Sequence, residues 1–378
     1  MRWRIVSLLC LLALTSCSDD ALDTGAGLLG PTGEPTQAEL GLRLIPPGVE
    51  LELAGMSAAE TQSIGRGSYL VNGVAGCGGC HGSEAGHLAG GREFALPFIP
   101  PDAEGRISFF ARNLTPHEET GMLLTEDEFV TAMVTGIDFH DSEGRDPQRM
   151  LIMPVQAYRY MLRSDLNDIY AYLRAIPAVD NEVQREYVMG FPFPPIPGPT
   201  LSDDDIERGL QIPEIFSAGP EGDSFAASFA ATIGGLNADE RTQVGRGSYL
   251  LNAIADCSNC HTDGLPDGGF DGGLLPGTVS VNAATYLGGG VNVGFVFGLT
   301  FPVFTRNLTP HPETGLELTQ EEFVDVMRFG ADFRRPGGSL RVQPHFPAEF
   351  RMTLEDIHAI YAYLQAIPAV NQEVTITP

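Results

Sequence analysis

Cys77-Gly78-Gly79-Cys80-His81 and Cys257-Ser258-Asn259-Cys260-His261 carry one five-residue pattern, Cys-x-x-Cys-His, at two places in the chain. On a helix, side chains at i, i+3 and i+4 share one face, so two thiols and an imidazole point the same way. That spacing suits covalent attachment of a c-type haem, in which the thiols take the vinyl groups and the adjacent His binds the iron. The repeat therefore predicts two haem c groups, attached at Cys77 and Cys80 and at Cys257 and Cys260. His81 and His261 are the expected proximal iron ligands. A Cys-x-x-Cys pair also suits thiol–disulfide exchange or half a zinc site. The first wants a βαβ context that neither motif has nearby. The second wants its pairs roughly 15–20 residues apart, far closer than these lie.

The N-terminus begins Met1-Arg2-Trp3-Arg4 and continues as an apolar run from Ile5 to Leu14. A basic start and a short apolar core predict a secretory signal peptide. Leu14-Thr15-Ser16-Cys17 resembles the bacterial lipobox, whose Cys becomes lipid-modified after cleavage; the alternative is an ordinary signal peptide with a Cys at its cleavage site. Acyl chains on Cys17 would hold the protein at the periplasmic side of a bacterial membrane. The six cysteines are then all assigned, with Cys10 leaving in the signal. None is left for a disulfide.

The chain has 378 residues, enough for two domains, and a formal charge of −27. That acidity excludes nucleic acid, which needs a basic footprint. It suits a basic or dipolar redox partner with salt-sensitive encounter rates, or simply the solubility of an exported protein.

The duplication extends beyond the two Cys motifs. Gly65-Arg-Gly-Ser-Tyr-Leu70 recurs as Gly245-Arg-Gly-Ser-Tyr-Leu250, and Arg112-Asn-Leu-Thr-Pro-His117 recurs as Arg306-Asn-Leu-Thr-Pro-His311. Ile169-Tyr-Ala-Tyr-Leu173 recurs as Ile360-Tyr-Ala-Tyr-Leu364, each followed by Ala-Ile-Pro-Ala-Val. The expected division is signal peptide 1–17, tether and lead-in 18–60, first domain 61–180, linker 181–240 and second domain 241–378. Thr125-x-x-Glu128 and Thr319-x-x-Glu322 read as capping boxes that open helices. Apolar stripes through Leu166, Ile169 and Leu173, and through Ile357, Ile360 and Leu364, read as core faces of closing helices that stop at Pro177 and Pro368. Tyr69 and Tyr249 suit either a cofactor edge or ordinary core. Phe191-Pro-Phe-Pro-Pro-Ile-Pro-Gly-Pro199 reads as a semi-rigid spacer, and Gly264 to Phe304 as a Gly-rich insertion, a hairpin or an apolar flap.

Taken in order, these motifs resemble class I c-type cytochrome domains, above all the cytochrome subunits of membrane-bound alcohol and gluconate dehydrogenases. The likeness covers about residues 61–180 and 241–372. It implies an all-α fold of two tandem class I cytochrome c domains, electron transfer, and His/Met iron ligation. Implied partners are a dehydrogenase, a reductase or a soluble cytochrome. The usual subunits carry three haems, one domain more than this chain.

The family places its distal ligand in the loop before the closing helix. In the first copy that position is Met153 of Leu151-Ile-Met-Pro154, with Met150 as the alternative. In the second copy the loop reads Gln343-Pro-His345, and aligning the prolines removes the Met. His345 is the expected distal ligand there; Gln343 or an open iron are the alternatives. Met352 matches Met161 and Met327 falls on a helix, so both read as core. A thioether raises the reduction potential relative to imidazole, so the two centres should differ. The expected function is a lipid-anchored dihaem electron carrier rather than an enzyme. A peroxidase-like enzyme with an open second haem is the alternative.

Overall fold

The computed structural model describes residues 33–95, 108–139, 150, 153–184, 195–215, 220–263, 281–294, 302–333, 338–339 and 351–374. Cys17, Gln343 and His345 lie outside the described residues, as does most of Gly264–Phe304. The described chain is rich in helices, with two short antiparallel strand pairs.

The first copy starts earlier than its Cys motif suggests. Helix α1 (Gln37–Arg43) and helix α2 (Ala58–Ser68) each open on a capping box, Thr36 with Glu39 and Ser57 with Glu60. Helix α2 widens into a π-helical turn, Tyr69–Val74, and the short α3 (Gly78–His81) carries the motif. Strands β1 (Glu93–Ala95) and β2 (Ser108–Phe110) pair with Phe94 opposite Phe109. Helix α4 (Glu126–Thr135) opens on the expected Thr125–Glu128 capping box and closes at Gly136, whose φ of 74° suits a residue without Cβ. A single turn, α5 (Val155–Tyr158), precedes the closing helix α6 (Arg163–Ala175).

The stretch expected to be a linker holds helix α7 (Asp205–Gln211), a 3₁₀ turn (Ile212–Ile215) and helix α8 (Pro220–Gly234). Helix α7 is the second copy's equivalent of α1. Helix α8 has no twin among the described residues; its Phe225, Phe229 and Ile233 form a buried i, i+4, i+8 stripe. Phe225 meets the Tyr286 ring edge-on at 5.3 Å and Phe229 meets Tyr363 at 5.9 Å. The spacer itself is pinned to the first copy, since Ile196 N donates to Thr135 O at 2.8 Å.

The second copy continues with α9 (Ala238–Tyr249), its own π-helical turn Leu250–Ile254, and α10 (Cys257–His261). Helix α11 (Gln320–Phe329) again opens on its expected capping box, Thr319 with Glu322. Strands β3 (Ala331–Asp332) and β4 (Gly338–Ser339) pair, and helix α12 (Leu354–Ala366) closes the copy. Part of the expected insertion has a counterpart in the first copy. Leu287 and Leu88 share an unusual positive φ (56° and 55°). In addition, Gly290 N donates to Thr305 O as Gly91 N donates to Ala111 O. Val293 N to Val303 O at 2.8 Å continues this as a hairpin-like pairing.

The repeated Gly-Arg-Gly-Ser-Tyr stretch sets the helix crossings. A Cβ on Gly67 would fall 1.9 Å from Asp168 O, and one on Gly247 would fall 1.9 Å from Ala359 O, so only Gly lets α2 touch α6 and α9 touch α12. The other glycine faces the lead-in helix: a Cβ on Gly65 would lie 2.4 Å from Ala38 O, and one on Gly245 would lie 2.5 Å from Ile206 O. Leu166, Ile169, Leu173 and Ile176 of the closing stripe are buried against this crossing, as are Ile357, Ile360, Leu364 and Ile367. Each contributes about 1.5–3 kcal/mol on burial.

Candidate cofactor-attachment sites

The two Cys motifs sit in the same local frame. In each π-helical turn the last amide bonds five residues back, Ala75 N to Leu70 O and Ala255 N to Leu250 O, both at 2.8 Å. Such widened turns cluster at functional sites. Here the turn delivers the chain to a one-turn helix that puts both cysteines and the histidine on one side.

The repeated Asn-Leu-Thr-Pro stretch then orients the histidine. His81 Nδ1 lies 2.8 Å from Arg112 O and His261 Nδ1 lies 2.7 Å from Arg306 O. A backbone carbonyl only accepts, so Nδ1 carries the proton and Nε2 is the nitrogen left for a metal. Burial lowers the pKa of His81, and lowers that of His261 to about 4, which keeps both imidazoles neutral. A neutral imidazole is the form that ligates.

The carbonyl is itself held in place. Arg112 pairs with Asp138 and Arg306 with Asp332, each at 3.1 Å. Asn113 Nδ2 donates to Val179 O at 2.9 Å, and its Oδ1 accepts from Thr115 N at 3.0 Å. Asn307 repeats this with Val370 O at 2.8 Å and Thr309 N at 2.9 Å. His117 and His311 each accept at Nδ1 from the amide three residues on, both at 3.2 Å. They brace the Glu-Thr-Gly turn.

In the first copy these elements surround a largely apolar cavity of about 1290 Å³, open mouth included. Cys77, Cys80, His81, Met150 and Met153 all line it, with Phe94, Phe109, Met133 and Leu173 among the apolar walls. The structure thus gathers every expected residue of the first site, together with the alternative Met150. In the second copy Cys257, Cys260 and His261 sit as their twins do, and the expected distal residue His345 falls outside the described segment. Met161 and Met352 are buried at equivalent places, 2 % and 1 % exposed.

The second copy's thiols are poor candidates for thiol–disulfide exchange. Burial, with Asp256 beside them, pushes Cys257 and Cys260 up to about 12, whereas a redox cysteine needs an accessible thiolate. Among the described residues, no group of three or more His, Cys, Asp or Glu side chains could hold a metal ion. A neutral thioether suits this environment, so the donors and the lining fit a covalently attached haem.

A helical repeat presenting Cys-x-x-Cys-His, in the first copy beside an apolar cavity, resembles the attachment sites of c-type cytochromes. The chain is similar to the cytochrome subunit of fructose dehydrogenase from Gluconobacter japonicus, 25% identical over 318 residues, which is 83% of this chain and 54% of that protein. It is also similar to the cytochrome c subunit of a quinone-dependent alcohol dehydrogenase from Gluconacetobacter polyoxogenes, 29% identical over 121 residues, 32% of this chain and 21% of that one. The gluconate 2-dehydrogenase cytochrome c subunit of Pantoea cypripedii is 23% identical over 326 residues, 84% of this chain and 62% of that one. The homologues are thus dehydrogenase cytochrome c subunits, as the motif resemblance implied. The chain spans about half the length of the first of these relatives. No protein-family model matches it.

Proposed function

We propose that this chain is an electron carrier with two centres, one haem c in each copy, serving a dehydrogenase and passing electrons toward a respiratory chain. Cys77, Cys80 and His81 hold the first group, and Cys257, Cys260 and His261 hold the second. Met153 is the distal ligand of the first and His345 that of the second. Cys17 carries the lipid that anchors the protein on the periplasmic side of a bacterial membrane. Among the described residues, no helix is long and apolar enough to cross a membrane.

The observation that carries this reading is the pair of oriented imidazoles, each donating from Nδ1 to a carbonyl of the same repeated motif beside two cysteines. When bound, haem c supplies a one-electron couple. The chain does the rest. The Arg112 and Arg306 carbonyls fix the proximal rings and raise their basicity as ligands. The apolar walls around Met153 exclude water and favour the less charged ferrous state. The net charge of −27 draws a basic or dipolar partner and makes encounter rates fall with salt.

The asymmetry of the distal ligands tests the reading. Wild-type protein should show the weak red-end absorption of iron–sulfur ligation from one centre, and Met153→Ala should abolish it. Loss on Met150→Ala instead would move the ligand to that residue, and a band surviving Met153→Ala would point to Met352 or Met327 in the second copy. Carbon monoxide binding by the wild-type protein would contradict His345 as ligand and favour a catalytic second centre.

A further inference from the structure

Tyr69 and Tyr249 occupy matching positions, each eight residues before the first Cys of its motif. Both rings are buried, and both hydroxyls leave their own copy. Tyr249 Oη donates to Asp165 Oδ2 at 2.7 Å and accepts from Leu162 N at 2.8 Å, at the start of α6 in the first copy. Tyr69 Oη donates to the Asp356 carboxylate and accepts from Thr353 N at 3.2 Å, at the start of α12 in the second copy. The exchange is reciprocal.

Each carboxylate is already paired at home, Asp165 with Arg66 and Asp356 with Arg246, both at 2.6 Å. Neutralising the buried acid therefore does not require the tyrosine. What the hydroxyl adds is an acceptor for an amide at a helix start, where backbone N–H groups lack intrahelical partners. Leu162 caps α6 with no side-chain bond of its own, so the opposite copy supplies the acceptor there.

The segments that carry these tyrosines also present the attachment sites. Tyr69 begins the π-helical turn that runs to Cys77, and Tyr249 ends the helix whose π-helical turn runs to Cys257. A Cβ on Gly73, in the first turn, would lie 3.4 Å from Arg351 O of the second copy. Gln156 of α5 reaches the Asp256 carboxylate, one residue before Cys257, at 3.5 Å.

We propose that Tyr69 and Tyr249 are exchanged positioning residues: each fixes the opposite copy's closing helix to its own attachment segment, and together they set the separation and orientation of the two centres. The anchoring stands on the hydrogen bonds alone; its consequence for the centres rests on the haem reading above.

The test uses full-length, haem-loaded protein carrying Tyr69→Phe, Tyr249→Phe or both. Phe keeps the ring packing and leaves both Arg–Asp pairs intact. A buried bond to a charged group is lost in each case, so amides of the opposite closing helix should exchange about ten- to a hundred-fold faster. Tyr69→Phe should release amides of α12, and Tyr249→Phe those of α6. The double variant should broaden the haem–haem distance distribution measured by pulsed electron paramagnetic resonance. Faster exchange confined to the mutated copy would overturn the inference, as would closing helices and a distance distribution that stay unchanged. Haem content is measured on the same samples. Two per chain with no crossed exchange defeats the anchors and spares the haem reading. A chain without haem defeats that reading while the exchange pattern still decides on the anchors.

Discussion

Replacing Asn113 with Ala isolates the contribution of the Asn-Leu-Thr-Pro stretch. Asn113 is 4 % exposed and Thr115 is fully buried. The amide side chain donates to Val179 O and accepts from Thr115 N and the Thr115 hydroxyl, the last at 2.8 Å. In the variant, the Thr115 hydroxyl can turn to Val179 O, already 3.3 Å away, so that carbonyl keeps a partner. Thr115 N does not. One orphaned buried N–H costs about 1–3 kcal/mol, and the lost bonds add about 1 kcal/mol more, so the expected loss is about 2–4 kcal/mol. Native-state amide exchange of peptides spanning 111–122 and 163–184 reads it locally, which matters because two coupled copies need not unfold as one two-state unit. Asn307→Ala should give the same loss around Val370 and leave the first copy intact. A loss under about 0.5 kcal/mol, the range of an ordinary surface change, would refute the claim that this Asn ties the His81 acceptor to the closing segment.

Three further outcomes follow from the same geometry. Gly247→Ala should disrupt the second copy, because its Cβ would overlap Ala359 O at 1.9 Å; equal thermal midpoints for variant and wild type would remove the close helix crossing from the account. His87 is pushed down to about 4 by burial, below its value of about 6.5 in an unfolded chain. The unfolded state therefore takes the proton first, and this site's stability is lost as pH falls from about 6.5 to 4. His87→Tyr, which places in the first copy the residue that the second has as Tyr286, should flatten that part of the profile, and an unchanged urea midpoint–pH slope would contradict the assignment. Cys17→Ser should release the protein from membranes with its haem content unchanged, and continued sedimentation with membranes would show that something other than a lipid holds it.

The parts of this fold legible in the sequence were those written in local patterns. The Thr125 and Thr319 capping boxes open helices where their spacing says they should. The closing stripes are buried, and both closing helices end two residues before Pro177 and Pro368. Cys77, Cys80, His81 and Met153, named from their motifs, line one cavity of the first copy. The lead-in helices were not, because α1 and α7 are only seven residues long and their role depends on Gly41 and Gly209 meeting another helix. Helix α8 was hidden by the proline-rich run before it, whose composition dominates any reading of 181–240. The exchange of Tyr69 and Tyr249 leaves no periodic trace, since it joins residues 287 and 84 positions apart.

The central claim is that both Cys-x-x-Cys-His motifs carry covalent haem. The direct measurement is the intact mass of the denatured chain, produced in a host competent in haem attachment. The account predicts two haem additions, with the colour retained after denaturation and all four motif cysteines resistant to thiol reagents. A chain at its apo mass, or with one addition and alkylatable Cys257 and Cys260, would contradict it.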